Sequence, residues 1–500
     1  MESGTPQSPS AIPLHTRSFA SAIAWTGAAK WLGQLLSWAS TLIVARLLAP
    51  EDYGLVGMAI VYLGFVTMMS ELGLGLAVIA KRELDHYQIA QLNTLAVMLG
   101  GVAFAISCAA AFPLARFFES EKLPPVIMVL STAFLIESLR TIPQSLLQKE
   151  LQFRYLALVQ AVHTVLVAAS MVLFASLGLG FWTLVFGNLL GSVLLTALMM
   201  AKKPADFAWP KPNGLPGIFT FGRHIVVGRV ASYVSTKVDL VVIGRVLGDT
   251  ALGVYTVAAT IASMPLDKVS SIVNQVATPY FSERQIDKPA LRHLLLTITQ
   301  ALSLITFPAA FGMALIARDF VLLALGEKWQ DIIGPLQLLA GLAAFRSITT
   351  VLAPVVIVTG GTRLSMYTAM LEALIMPFVF YTATNWGVEG VATAWLIGYP
   401  LFSLPLYVRA FRRAEMSIAR YLTSILPALN GSLIMAITVL ALKLSMPADW
   451  PLAGRFALEL LVGGCGYCLF MWLIYKKRLL DFYYEFRKLG QEKHLSGIRA

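Results

Sequence analysis

The run Leu42-Ile43-Val44-Ala45-Arg46-Leu47-Leu48, followed by Gly54, returns as Val241-Val242-Ile243-Gly244-Arg245-Val246-Leu247, followed by Gly253. Every matched position is separated by 199 residues, and the same offset carries Lys30 onto Arg229. A constant long offset means that one folding unit is used twice. Further on, Gly180-Phe181-Trp182-Thr183 is echoed by Gly390-Val391-Ala392-Thr393 at a somewhat larger offset, as insertions between the copies would produce.

Both copies belong to a chain whose main solvent is not water. Of its 500 residues 57% are hydrophobic and 13% charged, against roughly a quarter charged in soluble domains. Mean hydropathy is +0.73, and apolar stretches long enough for a hydrocarbon core of roughly 30 Å recur from Trp25 to Tyr475. About fourteen helices are predicted, starting near Ala22, Tyr53, Gln88, Leu123, Tyr155, Gly180, Gly217, Ala251, Leu291, Ile332, Leu364, Val388, Leu422 and Leu452. Six spans per half is the simplest division. Because six is even, both halves enter from the same side, making them parallel repeats with a site between them. The predicted fold is all-α and polytopic, with an N-lobe at 1–200, a linker at 201–216, a C-lobe at 217–415 and two further helices at 416–475. The linker holds Pro204, Pro210, Pro212 and Pro216, which no helix interior tolerates.

Loops after even-numbered spans carry 15 cations and those on the other side 8, which puts both termini in the cytoplasm. The first residues lack the pattern of a cleaved signal. The tail, 476–500, sets Leu479, Leu480, Phe482, Tyr483, Phe486 and Leu489 beside Lys and Arg, as in an interfacial amphipathic helix or a solvated basic tail. The net charge of +11 sits in short loops, as membrane orientation demands, so nucleic-acid binding is not indicated. Cys108, Cys465 and Cys468 all fall in apolar segments, where neither a disulfide framework nor a zinc site is expected. There is no HExxH, GxSxG or Walker A loop, so neither an enzyme's constellation, a metal nor a cofactor is called for.

Ionisable side chains at membrane depth are costly and mark function by default. The candidates for a cationic substrate site are Lys30, Arg229, Lys237, Arg140, Arg346 and Arg223. Those for ion coupling or charge pairing are Glu137, Asp239, Glu372 and Glu71. At ~100° per residue, Arg223, Lys237 and Arg229 share one face of the seventh span, and Asp239 is placed to pair with Lys237 or a neighbouring helix. Repeat symmetry turns Lys30 and Arg229 towards one cleft. Two cations facing a low-dielectric cleft call for an anionic ligand. The plainer reading pairs each cation with a carboxylate that merely fixes packing, most readily Arg140 with Glu137 at helical spacing. His163 reads as a packing residue. Prolines from Pro265 to Pro427 predict kinked or broken helices in the second half, and Gly187 to Gly191 is a GxxxG of tight helix contact.

Arg46-Leu-Leu-Ala-Pro50-Glu-Asp52-Tyr-Gly54-Leu55, with Glu71-Leu-Gly-Leu-Gly75-Leu-Ala-Val-Ile79, resembles the signature of bacterial polysaccharide exporters. These are Wzx-type oligosaccharide flippases of the multidrug/oligosaccharidyl-lipid/polysaccharide superfamily, and the likeness is to their exopolysaccharide and colanic-acid-exporter-like branch. Ala80 stands where the usual pattern has Gln. The resemblance implies two six-helix lobes around a central cationic cavity plus two C-terminal helices. It implies as substrate an undecaprenyl-diphosphate-linked oligosaccharide repeat unit, flipped across the bacterial inner membrane for exopolysaccharide or lipopolysaccharide synthesis. Membrane lipids, a polysaccharide polymerase and a chain-length regulator are the partners this implies. The alternatives are a cation-coupled drug antiporter of the same superfamily, which needs buried acids, and a membrane glycan polymerase or ligase, which needs an acceptor site that the short loops leave little room for.

Overall fold

The computed structural model describes residues 33–70, 74–80, 84–210, 233–447 and 449–496, with the side chains of 267–279 and 481–496 among those left out. Every regular element among the described residues is helical. In the first half these are α1 (33–47), α2 (Pro50–Ser70), α3 (Leu74–Ala80), α4 (His86–Phe118), α5 (Leu123–Lys149), α6 (Phe153–Ser176) and α7 (Trp182–Lys202). The second half has α8 (233–246), α9 (Gly248–Glu283), α10 (Lys288–Ala324), α11 (Ile333–Thr349), α12 (Leu352–Val358), α13 (Thr362–Ala383) and α14 (Gly387–Arg413). Last come α15 (Ile418–Ser445) and α16 (Leu452–Ser496). Ten stretches among the described residues are long and apolar enough to cross a membrane, one of them containing both α13 and α14.

Helix starts follow local chemistry. Asp85 caps α4 in a capping box with Gln88, Asp287 caps α10 through the Ala290 N–H, and Ser417 caps α15. Of the prolines expected to kink or break helices, Pro354 lies beside an interruption: α11 stops at Thr349 and α12 resumes three residues later with Pro354 in its first turn. Pro308, Pro377, Pro400, Pro405 and Pro427 lie inside helices that continue through them. Gly187 packs on Met171 and Gly191 on His163, so the GxxxG joins α7 to α6. α16 bends at Tyr475, where its apolar run ends, and continues to Ser496. The described part of the linker, 201–210, is tied down. Asn93 of α4 donates to the carbonyls of Ala205 and Asp206 and Gln91 donates to that of Trp209, so 205–209 lies along the start of α4.

Between lipid-embedded helices there is little hydrophobic force, and close packing of small residues decides association. The halves meet where α2 crosses α9. A Cβ on Gly54 would run into the carbonyl of Asp249, and one on Gly253 into the carbonyl of Pro50. Repeat-matched glycines therefore lie on one another's helices. Around them, Leu55, Met58 and Ala59 of α2 share one core with Leu252, Tyr255 and Ala258 of α9.

The repeat-matched arginines complete the crossing. Arg46 donates to the Leu323 carbonyl at 2.6 Å, at the end of α10, and Arg245 meets Glu119 at 2.6 Å, at the end of α4. Each half thus places a cation on the negative end of the other half's long helix. Trp329, fully buried, donates from Nε1 to the Ala45 carbonyl at 2.7 Å and stands edge-on to Tyr53. At the other end of α10, Lys288 reaches Glu415 at 2.6 Å, and its ammonium holds that carboxyl below the usual range.

Gly54→Ala and Gly253→Ala set a side-chain atom against backbone that cannot swing aside. Each should lower unfolding stability in detergent by about 1–3 kcal/mol. Gly101→Ala in α4, where the added Cβ meets nothing within 4 Å, should be neutral or stabilise by about 0.5–1 kcal/mol. Equal effects from all three would contradict a backbone-tight crossing.

Candidate substrate cavity

A cavity of about 580 Å³ lies within the second half, walled by α8, α9, α11, α12, α13 and α14. That volume falls in the range of small-ligand sites. Lys237 of α8 and Arg346 of α11 line it, both exposed to it, with the half-buried Glu372 of α13. Neither cation has a carboxylate within 4 Å among the described residues. Hydroxyls surround them, including Ser235, Thr260, Ser263, Ser365, Thr368 and Ser403.

Arg346 is held by two devices. Its guanidinium carbon stands 5.5 Å over the Tyr399 ring, and Tyr399 is itself edge-on to Phe345. One turn later the helix breaks, and Thr349 and Thr350 hydroxyls take the carbonyls of Phe345 and Arg346 at 2.8 and 2.7 Å. Thr349 also meets the Tyr407 hydroxyl at 3.1 Å. Broken helices at membrane depth persist where such groups satisfy the backbone.

Asp239 is the cavity's buried anchor. Its Oδ2 accepts from the Tyr255 hydroxyl at 2.7 Å and from Trp395 Nε1 at 2.8 Å, while Oδ1 accepts the Leu240 N–H at 2.8 Å. Only 6% of the residue is exposed. Its partners are neutral donors from three helices, not the Lys237 ion pair considered from spacing. The formal charges of Lys237, Arg346, Asp239 and Glu372 balance, but they are not equally available. Asp239 is sequestered, whereas the two cations reach open space.

The sequence candidates therefore divide. Lys237, Arg346, Asp239 and Glu372 come together in this cavity. Arg140 and Glu137 lie apart on α5, 3.7 Å from one another, with Glu137 also accepting from Ser192 of α7 at 2.8 Å. Lys30, Glu71, Arg223 and Arg229 lie outside the described residues. Tyr255, Trp395 and Tyr399 were not among the candidates. The four-residue spacing of Trp395, Tyr399 and Ser403 along α14, aromatic with a polar tip and then a hydroxyl, is the signal that marks that face.

Three comparisons bear on identity. A membrane protein encoded in the cps region of Klebsiella pneumoniae is 25% identical over 91% of this chain and 95% of its own length. The lipopolysaccharide biosynthesis protein WzxC of Escherichia coli K12 is 28% identical over 61% of this chain and 63% of its own. In structure, the lipid II flippase MurJ in an inward closed conformation superposes with a TM-score of 0.72 at 14% identity, covering 91% of this chain and 100% of that one. That last likeness shows a shared transporter fold. A family profile described as polysaccharide biosynthesis protein matches residues 43–334, more than half of the chain and both copies of the arginine repeat. By that match the chain belongs to the polysaccharide biosynthesis protein family.

Proposed function

We propose that this protein flips an undecaprenyl-diphosphate-linked oligosaccharide from the cytoplasmic to the periplasmic leaflet of a bacterial inner membrane, for assembly of an exported polysaccharide. The observation that carries this reading is the pair Lys237 and Arg346, open to one cavity and unpaired by any described carboxylate. With Asp239 sequestered, a diphosphate can engage both open cations, and a guanidinium can hold phosphate oxygens in bidentate fashion. The hydroxyls and aromatic faces beside the cations suit a saccharide, while the lipid tail stays in the bilayer.

The mechanism is alternating access between the two halves. By the cation asymmetry of the loops, the end bearing Arg46, Arg245 and the α2–α9 crossing faces the periplasm, and both termini face the cytoplasm. Release outward requires those contacts to part. The repeat unit then passes to a polymerase and its chain-length regulator. Arg140 with Glu137 remains a pair in the first half that fixes α5 against α7.

Lys237→Ala and Arg346→Ala, inserted at wild-type levels, should each slow transfer of a labelled lipid-diphosphate oligosaccharide between leaflets of proteoliposomes. Each loss removes a charge-assisted contact of roughly 1.5–3 kcal/mol, or about tenfold to a hundredfold. Arg346→Lys should recover only part, because an ammonium cannot form the planar fork. Wild-type transfer by the double variant would refute the site. Asp239→Asn keeps shape but turns an amide N–H₂ either towards both the Tyr255 and Trp395 donors or towards the Leu240 N–H. It should destabilise the fold by about 1–3 kcal/mol in thermal unfolding, and an unchanged melting point would show that Asp239 is no anchor.

A further inference from the structure

Outside the cavity, three charges from three helices converge. Lys443 in the last turn of α15 donates to the Leu315 carbonyl of α10 at 2.8 Å and to Asp319 Oδ2 at 3.2 Å, and lies 3.4 Å from Glu459 Oε2 of α16. The Glu459 side chain is fully buried and that of Asp319 is 5% exposed. Neither Glu459 oxygen receives a hydrogen bond from any described group, so the lysine at 3.4 Å is its one described cationic partner, while Asp319 adds a second negative charge beside it. Other charges on the same helices do not close the gap. Arg318, beside Asp319 on α10, is exposed. Arg455, one turn before Glu459 on α16, makes no ion pair with either carboxylate within 4 Å.

Two carboxylates against one ammonium leave one negative charge in excess where both carboxylates are buried, an arrangement that a low dielectric strongly disfavours. Neutrality needs one more positive charge. A metal ion is not the answer, because the tethered Lys443 ammonium already occupies the point where the carboxylates and the Leu315 carbonyl converge. We propose that Asp319, Lys443 and Glu459 form a proton-binding site, in which one proton shared by the two carboxylates makes the trio neutral and supplies the hydrogen bond that Glu459 lacks. The site lies one helical turn from Leu323, whose carbonyl takes Arg46. It is independent of the substrate cavity, so it stands or falls apart from the cargo.

Infrared spectroscopy of the full-length protein in lipid nanodiscs tests this. At neutral pH the wild type should show the C=O stretch of one more protonated carboxylic acid than either Asp319→Asn or Glu459→Gln, since each variant leaves one carboxylate against one ammonium. Superimposable acid bands in all three would overturn the proposal. Insertion levels give a second readout. Both neutral variants should reach wild-type levels and Lys443→Gln, which leaves two carboxylates, should fall severalfold. The reverse order, with Lys443→Gln tolerated and both neutral variants lost, would overturn it as well.

Discussion

Backbone lies on backbone where α2 crosses α9, and at Gly54 and Gly253 no side chain fits between them. In lipid this kind of contact is what holds helices together, since an apolar side chain gains little by leaving one apolar medium for another. The rest of the molecule is arranged around that crossing. It brings Arg46 to the end of α10 and Arg245 to the end of α4, so each half is tied to the other by the residue that its own repeat supplies. It also sets Tyr255, on the same stretch of α9, against Asp239.

From that anchor the cavity follows. Asp239 draws α8, α9 and α14 together through Tyr255 and Trp395, and the aromatic row along α14 carries Tyr399 beneath Arg346. The break after α11 frees the chain to turn just beyond that arginine, and threonine hydroxyls cover the exposed carbonyls. The result is a transporter whose second half holds two cations accessible and the Asp239 carboxylate engaged. Membership of the polysaccharide biosynthesis family and a flippase-like fold agree with such a chamber.

Much of this was legible beforehand, and the illegible parts share a cause. The duplicated Leu42-to-Leu48 run disclosed the two halves, and depth in the membrane picked out Lys237, Asp239, Arg346 and Glu372 before anything joined them. What spacing could not disclose is partnership over long separations. Arg46 and Arg245 read as loop cations, though each is a clamp whose receiver lies 277 or 126 residues away. Asp239 was placed to pair with Lys237 or a neighbouring helix, and it takes neutral donors from two neighbouring helices, one of them 156 residues distant. Lys443 is one of the 8 cations counted in loops on the other side, because a boundary error of a few residues moves a cation from the last turn of a helix into solvent. Asp319, four residues beyond the Leu315 carbonyl that also accepts from Lys443, carried no mark of its own at all.

The claim on which the account turns is that the crossing must open for cargo to leave. Gly57 and Thr256 are repeat-matched and face each other across it, a Cβ on Gly57 lying 3.7 Å from the Thr256 hydroxyl. In a chain with Cys108, Cys465 and Cys468 replaced, cysteines at 57 and 256 can be oxidised together and leaflet transfer of labelled lipid-diphosphate oligosaccharide followed. The account predicts that the oxidised protein still binds the lipid but does not transfer it, and that reduction restores transfer. Full transfer by fully cross-linked protein would contradict it.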